Sequence, residues 1–185
     1  MTRQIKRHST LQCLTVAAMA MILTACVVKP IPHQSIQQSA LREIAQSYRM
    51  TVRQAYESTN KTWVSGWAGN MAVNFQDNNT YGLCYHWKKI VYAGVVETVE
   101  RVGWRMTGIT VNEATTHEHH AVLVYDPALF RHKDLPSPAK QHLAYVLDPW
   151  RTGKAEIYTL DKWLERAGQI TVEPRLVAVV TDLQP

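Results

Sequence analysis

The hydrophobic pattern changes period partway along this chain, and that change restricts the fold more than any other feature. Over residues 40–58 the apolar side chains Leu41, Ile44, Ala45, Tyr48, Val52, Ala55 and Tyr56 recur at the spacing of one helix face, while Arg42, Glu43, Arg49, Arg53 and Glu57 mostly fall elsewhere. A second helix is expected over 83–100. Beyond it, the runs at 104–111, 120–125, 144–147 and 176–180 are short and apolar or β-branched, as strands are, with a short helix around 160–167. Residues 60–81, rich in Gly, Asn, Thr and Trp around the apolar segment 71–75, read as mostly loop. Helices first and consecutive strands afterwards predict an α+β domain, with N-terminal helices packed on a mainly antiparallel sheet.

The N-terminus follows a different logic. Arg3, Lys6 and Arg7 precede an apolar run over 11–23, broken only by Gln12, Cys13 and Thr15. Such a run is short of the roughly 20 residues a membrane-spanning helix needs and suits the apolar core of a secretory signal. The string Leu23-Thr24-Ala25-Cys26 resembles the bacterial lipobox, in which small residues precede a cysteine that is acylated and becomes the first residue of the mature protein. The resemblance implies a signal peptide over 1–25, lipidation of Cys26 and a membrane partner reached through that lipid. Val27 stands where an aspartate would resemble an inner-membrane retention signal, so the expected location is the outer membrane, facing the periplasm. Two or more acyl chains give an anchoring that one does not.

Residues 26–39, with two prolines, three glutamines and no periodicity, read as a tether, and residues 40–185 as one domain with a core of its own. Of the chain's 20 basic residues, three lie in the signal, leaving seventeen against fifteen acidic ones. The high overall charge is therefore partly an export feature. Without a basic run interleaved with aromatics, nucleic acid is not an expected partner.

Cysteine usage narrows the chemistry. Cys13 leaves with the signal and Cys26 takes lipid, so Cys84 is the one thiol of the mature domain and has no intramolecular disulfide partner. A lone thiol is either a small buried hydrophobe or a nucleophile. Asn79, Thr80 and Gly82 come just before the apolar-periodic Leu83, Trp87, Ile90, Val91 and Val95, which places Cys84 in the first turn of a helix. There the unpaired N–H groups and the helix dipole favour a thiolate and serve an oxyanion.

His120 opens the strand His120-Ala121-Val122-Leu123-Val124, and Asp148 ends the strand Ala144-Tyr145-Val146-Leu147. An antiparallel register with 120 opposite 148 pairs Val122 with Val146 and Val124 with Ala144 on one face, and lets Asp148 orient the imidazole. A one-residue shift brings His119 opposite 148 instead, so the choice of base stays open on this argument. Asp-Pro after a strand is also a common turn starter. Trp87 and Trp150 flank these positions, and His86 falls on another side of the helix from Cys84.

Helix-borne Cys84, strand-opening His120 and strand-ending Asp148, in that order, resemble the Cys-His-Asp triad of the transglutaminase-like branch of the papain-like superfamily. The strings Gly82-Leu83-Cys84, His120-Ala121-Val122 and Leu147-Asp148-Pro149-Trp150 carry the comparison, over about residues 70–150. The resemblance implies a papain/transglutaminase-like fold, His120 as base, peptidase, amidase or acyl-transfer chemistry on envelope peptide or peptidoglycan stem-peptide bonds, and no cofactor. Papain-like enzymes often carry a glutamine a few residues before the cysteine as oxyanion donor. Gln76 lies eight before it, with Asn74 and Asn78 as substitutes.

Two rival readings come from other classes. The cluster His117, Glu118, His119 and His120 holds zinc-ligand residue types, although its spacing is not the His-Glu-x-x-His that puts two ligands on one helix face. A non-catalytic envelope adaptor would use the same fold without the chemistry.

Overall fold

The structure, a computed structural model, describes residues 28–58, 61–75, 80–167 and 175–177. The expected signal over 1–25, Cys26 and most of the last strand expected at 176–180 lie outside them.

Helix α1 (Ser39–Glu57) forms where the periodicity places it, and its apolar stripe Leu41, Ile44, Ala45, Tyr48, Val52 and Ala55 is buried. Strand β1 (Thr62–Trp63) follows, then helix α2 (Gly66–Phe75), strand β2 (Thr80–Tyr81) and helix α3 (Cys84–Arg101). Residues 60–81, expected to be mostly loop, thus hold a ten-residue helix and a short parallel strand pair, Thr62 with Thr80 and Trp63 with Tyr81. The glycines behind the loop reading have a packing role. A Cβ on Gly82 would sit 2.1 Å from the Val64 carbonyl oxygen and 3.1 Å from Gly69 Cα, so three backbone segments meet just ahead of Cys84.

The remaining elements are β3 (Arg105–Val111), β4 (His119–Tyr125), the one-turn helix α4 (Pro138–Gln141), β5 (Ala144–Leu147), β6 (Ile157–Thr159), helix α5 (Leu160–Ala167) and β7 (Arg175–Val177). Five strands form one antiparallel sheet in the order β6-β5-β4-β3-β7. Gly103, at φ 77°, makes the left-handed turn that sends the chain from α3 into β3.

Both faces of the sheet are buried. Val122, Val124, Leu147 and Ile157 pack with Trp87, Val91, Val95 and Val99 of α3 and the apolar stripe of α1. Ile109, Val111, Ala121, Leu123, Ala144, Val146 and Tyr158 pack on the other side with Phe130, Leu135 and the α5 residues Leu160, Trp163 and Leu164. The α+β expectation, helices packed on an antiparallel sheet, therefore holds.

The segment read as a tether is docked over most of its length. Ile31 N–H donates to the Ile157 carbonyl at 2.7 Å, His33 Nε2 donates to the Ala155 carbonyl at 2.7 Å, and Ile36 is buried in the core. These bonds occupy the free edge of β6, where a sheet otherwise presents unpaired backbone groups.

Because the atoms facing Gly82 belong to backbone, Gly82→Ala is expected to destabilise the fold by about 1–3 kcal/mol, the usual cost of overpacking. A lowered urea midpoint with an unchanged slope would show it; an unchanged midpoint would mean the strand pair yields freely.

Candidate active site

Cys84 is the first residue of α3, preceded by Leu83 in an extended conformation (φ −66°, ψ 152°) with no side-chain cap. Of the residues just ahead of the helix, Thr80 belongs to β2, and Asn79 lies outside the described residues. Among the described residues no side chain caps the first-turn N–H groups beside Cys84, which is the condition for serving an anion. The thiol is partly buried, and its Sγ lies 4.0 Å from the Glu118 carbonyl oxygen.

Asp148, 4% exposed, follows the last residue of β5. It accepts three hydrogen bonds: from His119 Nε2 at 2.8 Å, from Trp163 Nε1 at 2.9 Å and from the Trp150 backbone N–H at 3.1 Å. Burial alone would raise its pKa. The charge and hydrogen bond of His119, with the bonds from Trp163 and Trp150, outweigh that and hold the carboxyl below its ordinary range. The His119 ring lies between Trp150 and Trp163, with centroids at 4.8 and 5.7 Å.

For His119, burial favours the neutral ring, but the charge and hydrogen bond of Asp148, reinforced by the nearby Cys84 side chain, push its pKa up to about 9. With Nε2 on Asp148, the remaining ring nitrogen is Nδ1. It is buried and has no hydrogen-bond partner among the described residues. A carboxylate and an imidazole are thus paired in the interior, with the Cys84 side chain close enough to bear on the charge of the ring, and these are the residue types that nucleophilic attack on a carbonyl requires.

His120 takes a different part, and the expected His120–Asp148 pairing is corrected. In the observed register Val122 pairs with Leu147 and Leu123 with Val146, one residue away from the register that sets 120 opposite 148. Alternation along the strand then puts His119, Ala121 and Leu123 on the α5 side with Asp148, and His120, Val122 and Val124 on the α3 side. Both nitrogens of His120 are occupied. Nε2 donates to Glu118 Oε1 at 2.7 Å, while Nδ1 accepts from Thr110 Oγ1 at 2.9 Å and Lys88 Nζ at 3.2 Å. Burial, then the Lys88 charge, lowers its pKa and keeps it neutral.

His120 instead helps fix the turn before β4. Glu118 Oε2 accepts from the Ala114 N–H at 2.7 Å, closing a loop in which Asn112 and Ala114 adopt positive φ. Lys88 stands one helical turn after Cys84, so the same network ties α3 to the backbone facing the thiol.

Gln76 and Asn78 lie outside the described residues, as do the side chain of Asn74 and Cys26, the expected lipidation site. Among the described residues no group of three or more His, Cys, Asp and Glu is arranged to hold a metal ion. Trp163 and Lys88 escape a reading of the sequence, because nothing local marks them: each acts through a partner 15 or more residues away, while Glu118, noted in the histidine cluster, serves His120 two residues on. No family model, curated protein or solved structure matches this chain.

The two histidines give a direct contrast. His119→Ala should slow iodoacetamide alkylation of Cys84 at neutral pH by at least tenfold, an order-of-magnitude expectation for loss of its paired base, and His120→Asn should slow it far less; equal effects would contradict the geometry.

Stability should also follow pH. The raised His119 pKa contributes fully below its ordinary value of 6.5 and is lost as pH rises through about 9. The lowered Asp148 pKa contributes above its ordinary 3.8 and is lost as pH falls through its folded value. Melting temperature should therefore decline on both sides of a plateau between those values, and His119→Gln should flatten the alkaline limb.

Proposed function

We propose that this chain is a lipid-anchored envelope protein whose domain is a thiol hydrolase of the transglutaminase-like, papain-like kind, acting on peptide or amide bonds. The observation that carries this reading is the buried Asp148–His119 pair whose ring also senses Cys84. The chain order of cysteine on a helix, histidine at the start of a strand and aspartate at the end of the next supports the family comparison, with His119 in the place first given to His120.

In this mechanism the Cys84 thiolate attacks the substrate carbonyl carbon, and the first-turn N–H groups of α3 receive the developing oxyanion. His119, charged at neutral pH, gives its Nδ1 proton to the leaving amine as the carbon–nitrogen bond breaks. The resulting thioester is resolved by water, whose proton returns to Nδ1, or by an amine in transfer. Asp148 keeps the ring oriented and stabilises its charged form throughout.

Lipidation of Cys26 supplies the location, with the outer membrane as the expected site. Among the described residues no helix is long and apolar enough to cross a membrane. The adaptor reading has one specific support: Trp67 and Met71, one turn apart on α2, are 78% and 51% exposed.

The experiment is alkylation of the mature acylated protein in detergent, where Cys84 is the free thiol, followed by a screen of envelope peptides. Rapid modification at neutral pH and turnover that falls roughly 10²–10⁴-fold in His119→Ala are expected. A thiol silent until denaturant is added would discard the hydrolase in favour of the adaptor. Separately, Cys26→Ala should abolish palmitate incorporation and release the protein from the membrane fraction.

A further inference from the structure

The thiol and the imidazole of the site sit at the starts of two different elements: Cys84 is the first residue of α3 and His119 the first of β4. Apolar packing joins these elements in the core, where Trp87, Val91 and Val95 meet Val122 and Val124. At the site end the join is polar. Lys88, one helical turn after Cys84, donates from Nζ to Nδ1 of His120 at 3.2 Å, and His120 is the neighbour of His119 in the chain. Nε2 of the same ring donates to Glu118 Oε1 at 2.7 Å, and the Glu118 carbonyl oxygen is the atom 4.0 Å from Cys84 Sγ. The contacts thus leave α3 at Lys88, pass through the residues on both sides of His119 and return to the sulfur.

This arrangement fits one form of the His120 ring. With Nε2–H on Glu118, Nδ1 keeps the lone pair that receives both Lys88 Nζ and Thr110 Oγ1. A proton on Nδ1 would set an N–H against the Lys88 ammonium, donor against donor and charge against like charge, and Lys88 would have to withdraw. Among the described residues Lys88 forms no ion pair, the Glu118 carboxylate being taken by His120 and the Ala114 N–H. The charged and titratable groups around the ring are Lys88 from α3, Glu118 from the turn and His119 on β4, with the Tyr85 ring edge-on at 6.5 Å; β3 contributes the uncharged Thr110. Burial first and Lys88 second hold the His120 pKa below its ordinary 6.5, against the pull of Glu118.

We infer that Lys88 and His120 are positioning residues of the hydrolase site: their hydrogen bond is a latch that sets the start of α3, with Cys84, against the start of β4, with His119, and it holds while His120 is neutral. The inference rests on the hydrolase reading and adds to it a condition on acid pH. Lys88 acts through His120, and His120 acts through the backbone it shares with His119 and Glu118.

The test is the rate of iodoacetamide alkylation of Cys84 in the mature acylated protein, compared across pH between the unmodified chain and Lys88→Met. The ratio of the two rates is the readout, because ionisation of the thiol itself cancels from it when Lys88 acts by position. At neutral pH the unmodified chain should react about threefold faster, as suits a displacement well under the ~1 Å that costs about 10²-fold. The ratio should shrink toward one as pH falls below 6.5 and His120 takes its proton. Lys88→Arg, which keeps a charged donor, should stay within about twofold of the unmodified chain. Lys88→Gln, with a shorter and neutral donor, should follow Lys88→Met and replaces it if the methionine variant does not melt cooperatively. A ratio near one at every pH would overturn the inference. So would a ratio that grows toward acid, which is what the Lys88 charge acting on the thiol alone would give. Either outcome with a reactive Cys84 leaves the hydrolase standing without the latch, whereas a Cys84 silent in the unmodified chain sinks both.

Discussion

The site depends on one constraint: strand β4 is buried on both faces, so its successive side chains face different surroundings. His119 and His120 are neighbours in the chain, yet one is enclosed by Trp150, Trp163 and Asp148 while the other meets Lys88, Thr110 and Glu118. The first environment favours a charged ring and the second a neutral one. Two identical side chains are thereby driven in opposite directions by the partners that the pleat assigns to them.

Asp148 shows why such a pair stays in place. A buried carboxylate is tolerated only when its oxygens are satisfied. Here the donors come from three elements: the start of β4, the turn after β5 and helix α5. Moving any one of them would leave the charge underpaired, so the carboxylate ties together the parts of the fold that surround the ring. Trp163 contributes twice, as a donor to Asp148 and as one wall of the His119 enclosure.

Much of this was legible in the sequence. The helical periods of α1 and α3, the strand positions from β3 to β5 and the placement of Cys84 in a first turn follow from spacing and burial alone. The register between β4 and β5 did not. Ala121 to Val124 and Ala144 to Leu147 are apolar at every position, so no inside-outside alternation distinguishes one pairing from the next. A single-residue difference in pairing exchanges the histidine that meets Asp148. Helix α2 was missed for another reason: its glycines and asparagine carry the composition of a loop, while its place is set by close backbone approach at Gly69 and Gly82.

The docked segment ahead of α1 has a consequence for geometry at the membrane. Val28 and Ile31 already pack on the domain, so if Cys26 bears lipid, the lipid-bearing residue stands two positions ahead of docked chain, a span of at most roughly 7 Å. The domain would then sit against the headgroups like a short-leashed reader of one surface, reaching what lies within a protein's width of the bilayer and little beyond it.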